Sequence, residues 1–249
     1  MGLATVILAA GKGKRMKSDL PKVIHPLNGR PMVHYVIDVA EAISSERIVL
    51  IIGHGKEMVI DAVQDRNVEF VEQKQQLGTG HAVLQTQSLF KEFDGDILVL
   101  SGDVPLLRET TLQKLYDIHR KENPLATLLT AEMDDPTGYG RVVRDQKGFV
   151  KKIVEDKDAD EQIKKIKEIN VGIYLFKSRP LFQTLPLIGN NNAQGEYYLP
   201  DVIKIYVDRN EKVAAVLTPD VEETHGINNV EQLKRAEKIL LERLSKPVL

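Results

Sequence analysis

The feature that most restricts the fold of this chain is a set of short apolar runs, rich in β-branched residues, with amphipathic stretches between them. Thr5-Val-Ile-Leu-Ala9, Arg47-Ile-Val-Leu-Ile-Ile52, Val68-Glu-Phe-Val71 and Ile97-Leu-Val-Leu100 are all strand-sized. Most of their positions are apolar, without polar alternation, so both faces must be buried. Helical patterns at 31–43, 56–63, 79–90 and 110–122 separate them. Doubly buried strands linked by helices predict an α/β fold, with a central mixed, mostly parallel sheet flanked by helices. The second half reads differently. Strand-like stretches at 126–131, 140–143, 150–155 and 169–176 have only a short helical pattern, 179–185, behind them. They predict a mixed extension of the same sheet. The highly charged 156–168 reads as a mobile surface loop or an exposed helix, and 230–244 as a final amphipathic helix.

A chain of 249 residues suits one such unit, and no repeat or Pro/Gly/Ser linker divides it. The expected organisation is one domain over 1–229, then a C-terminal helix and tail over 230–249. Lys and Arg total 34 against 36 Asp and Glu, for a net charge of -2. No basic excess points to nucleic acid or an anionic membrane. The absence of cysteine excludes a disulfide scaffold, thiolate metal sites and a cysteine nucleophile. No apolar run is long enough to span a bilayer, and no signal peptide is read. The expectation is a cytoplasmic protein with no membrane or nucleic-acid partner.

Directly after the first strand comes Leu8-Ala-Ala-Gly-Lys-Gly-Lys-Arg-Met16. Its glycines let the backbone approach a polyanion, and Lys12, Lys14 and Arg15 add positive charge. It is not a P-loop, and Met16 stands where a dinucleotide fingerprint needs its third glycine. Lys22 follows in a Pro-stiffened turn that could reach the same phosphates. Asp103 sits just past an apolar strand, where open α/β sheets bind ligands and where a carboxylate suits Mg²⁺; capping a turn is the equal alternative. Asn228 and Asn229 precede the last helix, an ordinary N-cap setting.

Further segments follow in order: Gln73-Lys-Gln-Gln-Leu-Gly-Thr-Gly-His-Ala82, Gly102-Asp-Val-Pro-Leu106, Thr137-Gly-Tyr-Gly-Arg141, Ile153-Val-Glu-Asp-Lys-Asp-Ala159, Glu168-Ile-Asn-Val-Gly172 and Asn190-Asn-Asn-Ala-Gln-Gly-Glu-Tyr-Tyr198. With the first loop and Pro21-Lys22, this set resembles the sugar-1-phosphate nucleotidyltransferases. Within them it resembles the uridyltransferases that act on N-acetylglucosamine-1-phosphate, over nearly the whole chain.

The resemblance implies a Rossmann-like, GT-A-like nucleotidyltransferase fold. It implies Mg²⁺-dependent reaction of UTP with N-acetylglucosamine-1-phosphate, giving UDP-N-acetylglucosamine and pyrophosphate. It places Arg15, Lys22 and Asp103 in catalysis, and Asp103 and Asn228 on the metal. Leu8, Ala9, Ala10, Gly11, Gln73, Gly78, Thr79 and Gly102 fall on the nucleotide, with Gln73 giving a donor and an acceptor to uracil. Gly140, Glu155 and Asn170 fall on the sugar, with Tyr139, Glu196 and Tyr197 lining the same pocket. Asn229 is left to cap the helix and His81 to a structural role. Ser101 and Val230 depart from the family pattern of an aromatic and an Arg. The acetyltransferase β-helix of bifunctional relatives is not expected here, and a monomer or weak homo-oligomer is. Another base or sugar-1-phosphate, and a non-catalytic sugar-nucleotide-binding protein, are the competing readings. Glu155-Asp-Lys-Asp158 argues against a thymidylyltransferase, and the presence of Arg15, Lys22 and Asp103 against a silent binder.

Overall fold

The computed structural model describes residues 2–245. In chain order the strands and helices are β1 (Leu3–Leu8), β2 (Pro26–Leu27), β3 (Arg30–Pro31), α1 (Met32–Ala42), β4 (Arg47–Ile52), α2 (Lys56–Ala62), β5 (Glu69–Glu72), α3 (Thr79–Leu84), β6 (Asp96–Ser101) and α4 (Glu109–Glu122). Then come β7 (Ala126–Glu132), β8 (Gly140–Arg144), β9 (Val150–Val154), β10 (Glu168–Lys177), α5 (Ser178–Thr184), α6 (Asp201–Asp208), β11 (Val213–Thr218) and α7 (Val230–Ser245). No helix among the described residues is long and apolar enough to cross a membrane.

One sheet runs in the order β11-β7-β10-β6-β1-β4-β5, with β8 on β10 and β9 on β8. Strands β6, β1, β4 and β5 pair in parallel. The antiparallel β10 joins them to β7, on which β11 lies parallel. Alternate residues explain the apolar runs. Leu3 and Ile7 of β1, with Ile48, Leu50 and Leu98, pack under α1, α2 and α4. Ala4 and Val6, with Val49, Ile51, Ile97 and Val99, pack under α3, α5 and α6. Burying both faces removes the polar alternation from these strands. Helix α7 lies apart, closing a small cluster with Leu27, Met32, Leu106 and Ile227 through Ala236.

Strand β10 changes neighbours partway along. Tyr174 to Lys177 pair with β6, whereas Ile169 and Asn170 pair with β8. The register shifts between Asn170 and Tyr174, around Gly172 at φ +77°. That left-handed backbone favours glycine, and the bulge bends the strand away from the end of β6. A gap is left beyond Ser101, between the parallel half of the sheet and the β8–β9 hairpin.

The structure departs from the sequence reading in three places. The pattern over 79–90 is not one helix, because α3 ends at Leu84 and a 3₁₀ turn follows at Gln87–Phe90. Val83 O accepts from both the backbone N–H and the hydroxyl of Thr86, so it is occupied where a continuing helix would use it for Gln87. The charged 156–168 is the surface loop of the two alternatives and not an exposed helix, and it is tethered at several points. It forms 3₁₀ turns at Asp156–Asp158 and Ile163–Lys165. Asp160 accepts from two turn N–H groups, Asp158 from the Ala193 N–H, and Asp156 pairs with Arg141. Helix α6 and strand β11 were not anticipated. Val202, Ile203 and Tyr206 form the buried face of α6, but its β-branched run gives no clean helical period. The tail expected after the last helix, 246–249, lies outside the described residues.

A buried carboxylate joins the two ends of the fold. Glu223, 1% exposed, accepts from the Thr111 and Thr218 hydroxyls and from the Arg108 backbone N–H. It thereby caps α4 from a segment more than a hundred residues away. Glu223→Ala should cost roughly 2–4 kcal/mol, because three donors lose their acceptor. In a chain of this size, that is a fall of about 5–15 °C in the thermal midpoint. Calorimetry checks it, and a fall under about 2 °C would remove this carboxylate from the stability of the fold.

Candidate active site

The parallel strands all end at one edge, and backbone hydrogen bonds knit those ends together. Gly102 N–H donates to Leu8 O at 3.0 Å, Ala9 N–H to Ile51 O at 2.9 Å, and Gln73 N–H to Ile52 O at 2.8 Å. Beyond these points the chain segments diverge, forming the kind of crevice in which open α/β sheets hold ligands. Leu8, Ala10, Gly11, Lys22, Gln73, Gly78, Thr79 and Asp103 of the expected set line it. Ala9 and Gly102 are not among its lining residues, and their N–H groups are engaged in the knitting. Gln76, Val23 and Glu196 also line it, and sequence motifs alone did not single out Gln76 or Val23. Glu196 was expected nearer the sugar residues.

Four charged or polar side chains from distant parts of the chain meet at this edge. The Lys22 ammonium is ion-paired with Asp103 Oδ2 and donates to Asn228 Oδ1 at 3.1 Å. Arg15 donates to the same Asn228 oxygen at 2.8 Å. The local folding is legible. A Cβ on Gly13 would lie 2.8 Å from Lys22 Cβ, so only glycine lets the first loop pass against the Pro21-Lys22 turn. Ile227 N–H donates to Asp103 O at 2.9 Å, which brings the Gly226 loop back to the end of β6. Asp103 Oδ2 and the Asn228 amide then lie 3.5 and 3.6 Å from one point, the place of an absent Cβ on Gly226. Asn229 accepts from the Gln232 N–H and caps α7, as expected.

On the other side, Gln73 is 4% exposed. Its Nε2 donates to Gly78 O at 3.1 Å and lies 3.0 Å from His81 Nδ1. The donor expected to meet a base is therefore already engaged. The Thr79 hydroxyl likewise accepts from Leu199 N–H at 3.0 Å. Gly78, at φ +108°, passes so close to Tyr197 that a Cβ there would lie 2.6 Å from its carbonyl oxygen. Tyr197 thus enters through its backbone.

Gly140, Glu155 and Asn170 are brought together. Asn170 pairs with Gly140 across β10 and β8, and a Cβ on Gly140 would lie 3.2 Å from Glu155 Oε1. The Asn170 amide donates to the Tyr174 hydroxyl at 2.6 Å and accepts from Gly172 N–H at 3.3 Å, so it also holds the β10 bulge. Arg15 lines one cavity with Glu155, Asp156 and Gln194, joining this group to the charged cluster. Tyr139, beside Gly140, meets His225 Nδ1 at 3.2 Å through its hydroxyl. Among the described residues there is no cluster of three or more His, Cys, Asp or Glu suited to a metal. The oxygen pair of Asp103 and Asn228 is the candidate donor set.

The family model for nucleotidyl transferases matches residues 4–222. The chain is 51% identical over 240 residues to the bifunctional protein GlmU of Halalkalibacterium halodurans, covering 96% of this chain and 52% of that protein. It is 45% identical over 249 residues to the bifunctional protein GlmU of Syntrophomonas wolfei, covering 100% of this chain and 55% of that protein. The chain thus spans about half the length of the curated relatives it matches. A crystal structure of UDP-glucose pyrophosphorylase complexed with UDP-glucose aligns with a TM-score of 0.75, covering 98% of this chain and 100% of that one. At 18% identity that likeness speaks to the fold, a Rossmann-like nucleotidyltransferase architecture.

Glu155 carries an unusual charge state. Burial, then the nearby carboxylates of Asp158, Asp201, Asp156 and Glu196, push it up to about 7, from 4.5 in an open chain. Below pH 4.5 both folded and unfolded forms hold the proton, and it costs nothing. Between 4.5 and 7 the unfolded chain loses the proton while the folded chain keeps it, so stability falls as pH rises. Glu155→Gln should therefore be more stable than the parent at pH 8, by about 1–3 kcal/mol, with a smaller gap at pH 5. Urea unfolding at both values checks this; a gap equal at the two would mean that the carboxyl is not raised.

Proposed function

The chain belongs to the nucleotidyl transferase family, and from that premise we propose that it is a uridyltransferase. It joins UTP to N-acetylglucosamine-1-phosphate, giving UDP-N-acetylglucosamine and releasing pyrophosphate. One observation carries the reading: Arg15 and Lys22 converge on the oxygens of Asp103 and Asn228 at the carboxyl edge of the sheet. The ordered motif set and the GlmU relatives support the choice of base and sugar.

The chemistry asks little of a general base, because the sugar phosphate oxygen is already anionic at neutral pH. What it needs is alignment of two polyanions that repel each other. The first loop, Leu8 to Gly11, cradles the triphosphate, with Gly102 beneath it. Gln73, Gly78 and Thr79 hold the base. Gly140, Glu155 and Asn170 hold the sugar, with a neutral Glu155 able to donate as well as accept. Arg15 lies between the two groups and meets the charge that builds on the departing pyrophosphate.

Asp103 and Asn228 fit a Mg²⁺ ion by their oxygens, and in the structure a cationic ammonium already sits between them. Bound there, the ion would neutralise phosphate charge and leave most of its coordination sphere to phosphates and water. Lys22, whose ammonium lies against both oxygens, would then be free to pair with phosphate oxygens.

Release of pyrophosphate, measured with four nucleoside triphosphates against several sugar-1-phosphates, should be greatest for UTP with N-acetylglucosamine-1-phosphate. Turnover should require Mg²⁺. Asp103→Asn and Arg15→Ala should each lose on the order of 10²–10³ in kcat while keeping the parent's thermal midpoint within a few degrees. Full activity of Asp103→Asn, or a different preferred pair, would overturn the assignment.

A further inference from the structure

The Gln73 amide cannot present either face to a ligand at will. Its nitrogen carries two hydrogens and its oxygen none. Gly78 O, 3.1 Å away, can only accept, so the nitrogen must be the atom that faces it. The second hydrogen lies toward His81 Nδ1 at 3.0 Å. Among the described residues no group donates to Gln73 Oε1.

A competing claim on the imidazole is settled by burial. Gln85 Nε2 is 3.2 Å from His81 Nε2, and a neutral ring has one bare nitrogen to offer. Gln85 is half-buried and also donates to the His81 carbonyl at 3.0 Å, so it keeps a partner without the ring. Gln73 is buried, and its second hydrogen has no other acceptor. An unmet buried donor is the costlier outcome. The bare nitrogen is therefore Nδ1, and Nε2 carries the hydrogen. Burial also lowers the pKa of His81 from its ordinary value, which keeps the ring neutral at pH 7.

We infer that His81 is the positioning residue for base selection: by accepting from Gln73 on Nδ1, it locks that amide with only its oxygen left for the base. Such an oxygen accepts from a base that carries N–H at ring position 3, as uracil does. Cytosine has a bare nitrogen there, and two acceptors would face each other. Sites built around one hydrogen bond reject the analogue lacking it far better than shape alone does. Without the histidine, the amide can swing off Gly78 and offer its N–H₂ to cytosine. This inference rests on the uridyltransferase reading.

The test is kcat/KM for UTP and for CTP, with N-acetylglucosamine-1-phosphate, in the parent chain, His81→Leu and His81→Asn. The parent should prefer UTP by about 10²-fold or more, and His81→Leu should lower that ratio about tenfold or more. His81→Asn, whose Oδ1 can accept in place of Nδ1, should restore most of it. A purely structural histidine would lower both rates together, and an unchanged ratio in His81→Leu overturns the inference. Should that variant fail to fold, ring ¹⁵N shifts of the parent decide. A bare Nδ1 supports the lock, and a protonated Nδ1 overturns it. A parent chain that releases no pyrophosphate from UTP takes down the uridyltransferase reading, a result distinct from an unchanged ratio.

Discussion

Parallel pairing of β6, β1, β4 and β5 is the constraint from which the site follows. Both faces of that sheet are closed by helices, so an unpaired polar group in its interior is costly. Functional polarity is pushed to the strand ends. Parallel strands all end on the same edge, and the segments after β1, β5 and β6 are thereby delivered to one crevice. The bulge at Gly172 completes the arrangement by leading β10 away where β6 stops.

Charge then organises what topology has gathered. Asp103 is a half-buried carboxylate of the crevice, and its partner is a lysine at the same edge. Lys22 and Arg15 both reach the single oxygen of Asn228. This crowding of two cations on a neutral amide suits a site meant for polyanions.

Strands buried on both faces were legible in the sequence to within about two residues, because continuous β-branched runs have few other solutions. Helix α6 was not, since Val202 to Val207 is as β-branched as a strand and only tertiary packing makes it helical. For the site, glycine loops and the carboxylate at a strand end marked Gly11, Lys22 and Asp103 as candidates. Asn228 looked like half of an N-cap pair, and only its return to β6 through Ile227 distinguishes it from Asn229. What the sequence could not disclose was prior engagement. The resemblance places Gln73 and Thr79 on the nucleotide, and nothing in the sequence shows that Gly78, His81 and Leu199 already hold them.

Helix α7 has one fully buried residue, Ala236; Leu233, Ile239 and Leu240 pack only partly buried against the same small cluster, and polar contacts such as Arg243 on Leu106 O and Glu237 on Asn28 N–H hold its rim. So lightly packed an element belongs to the part of a protein that opens at the smallest free-energy cost. Yet Asn228 stands two residues before it, and the Gln232 side chain of the helix accepts from the Asn228 N–H. Fraying of the helix would loosen that asparagine while the sheet stayed intact. Resistance to unfolding and persistence of an assembled site are thus separate properties of this chain, and the first can be high while the second is set by the weakest helix.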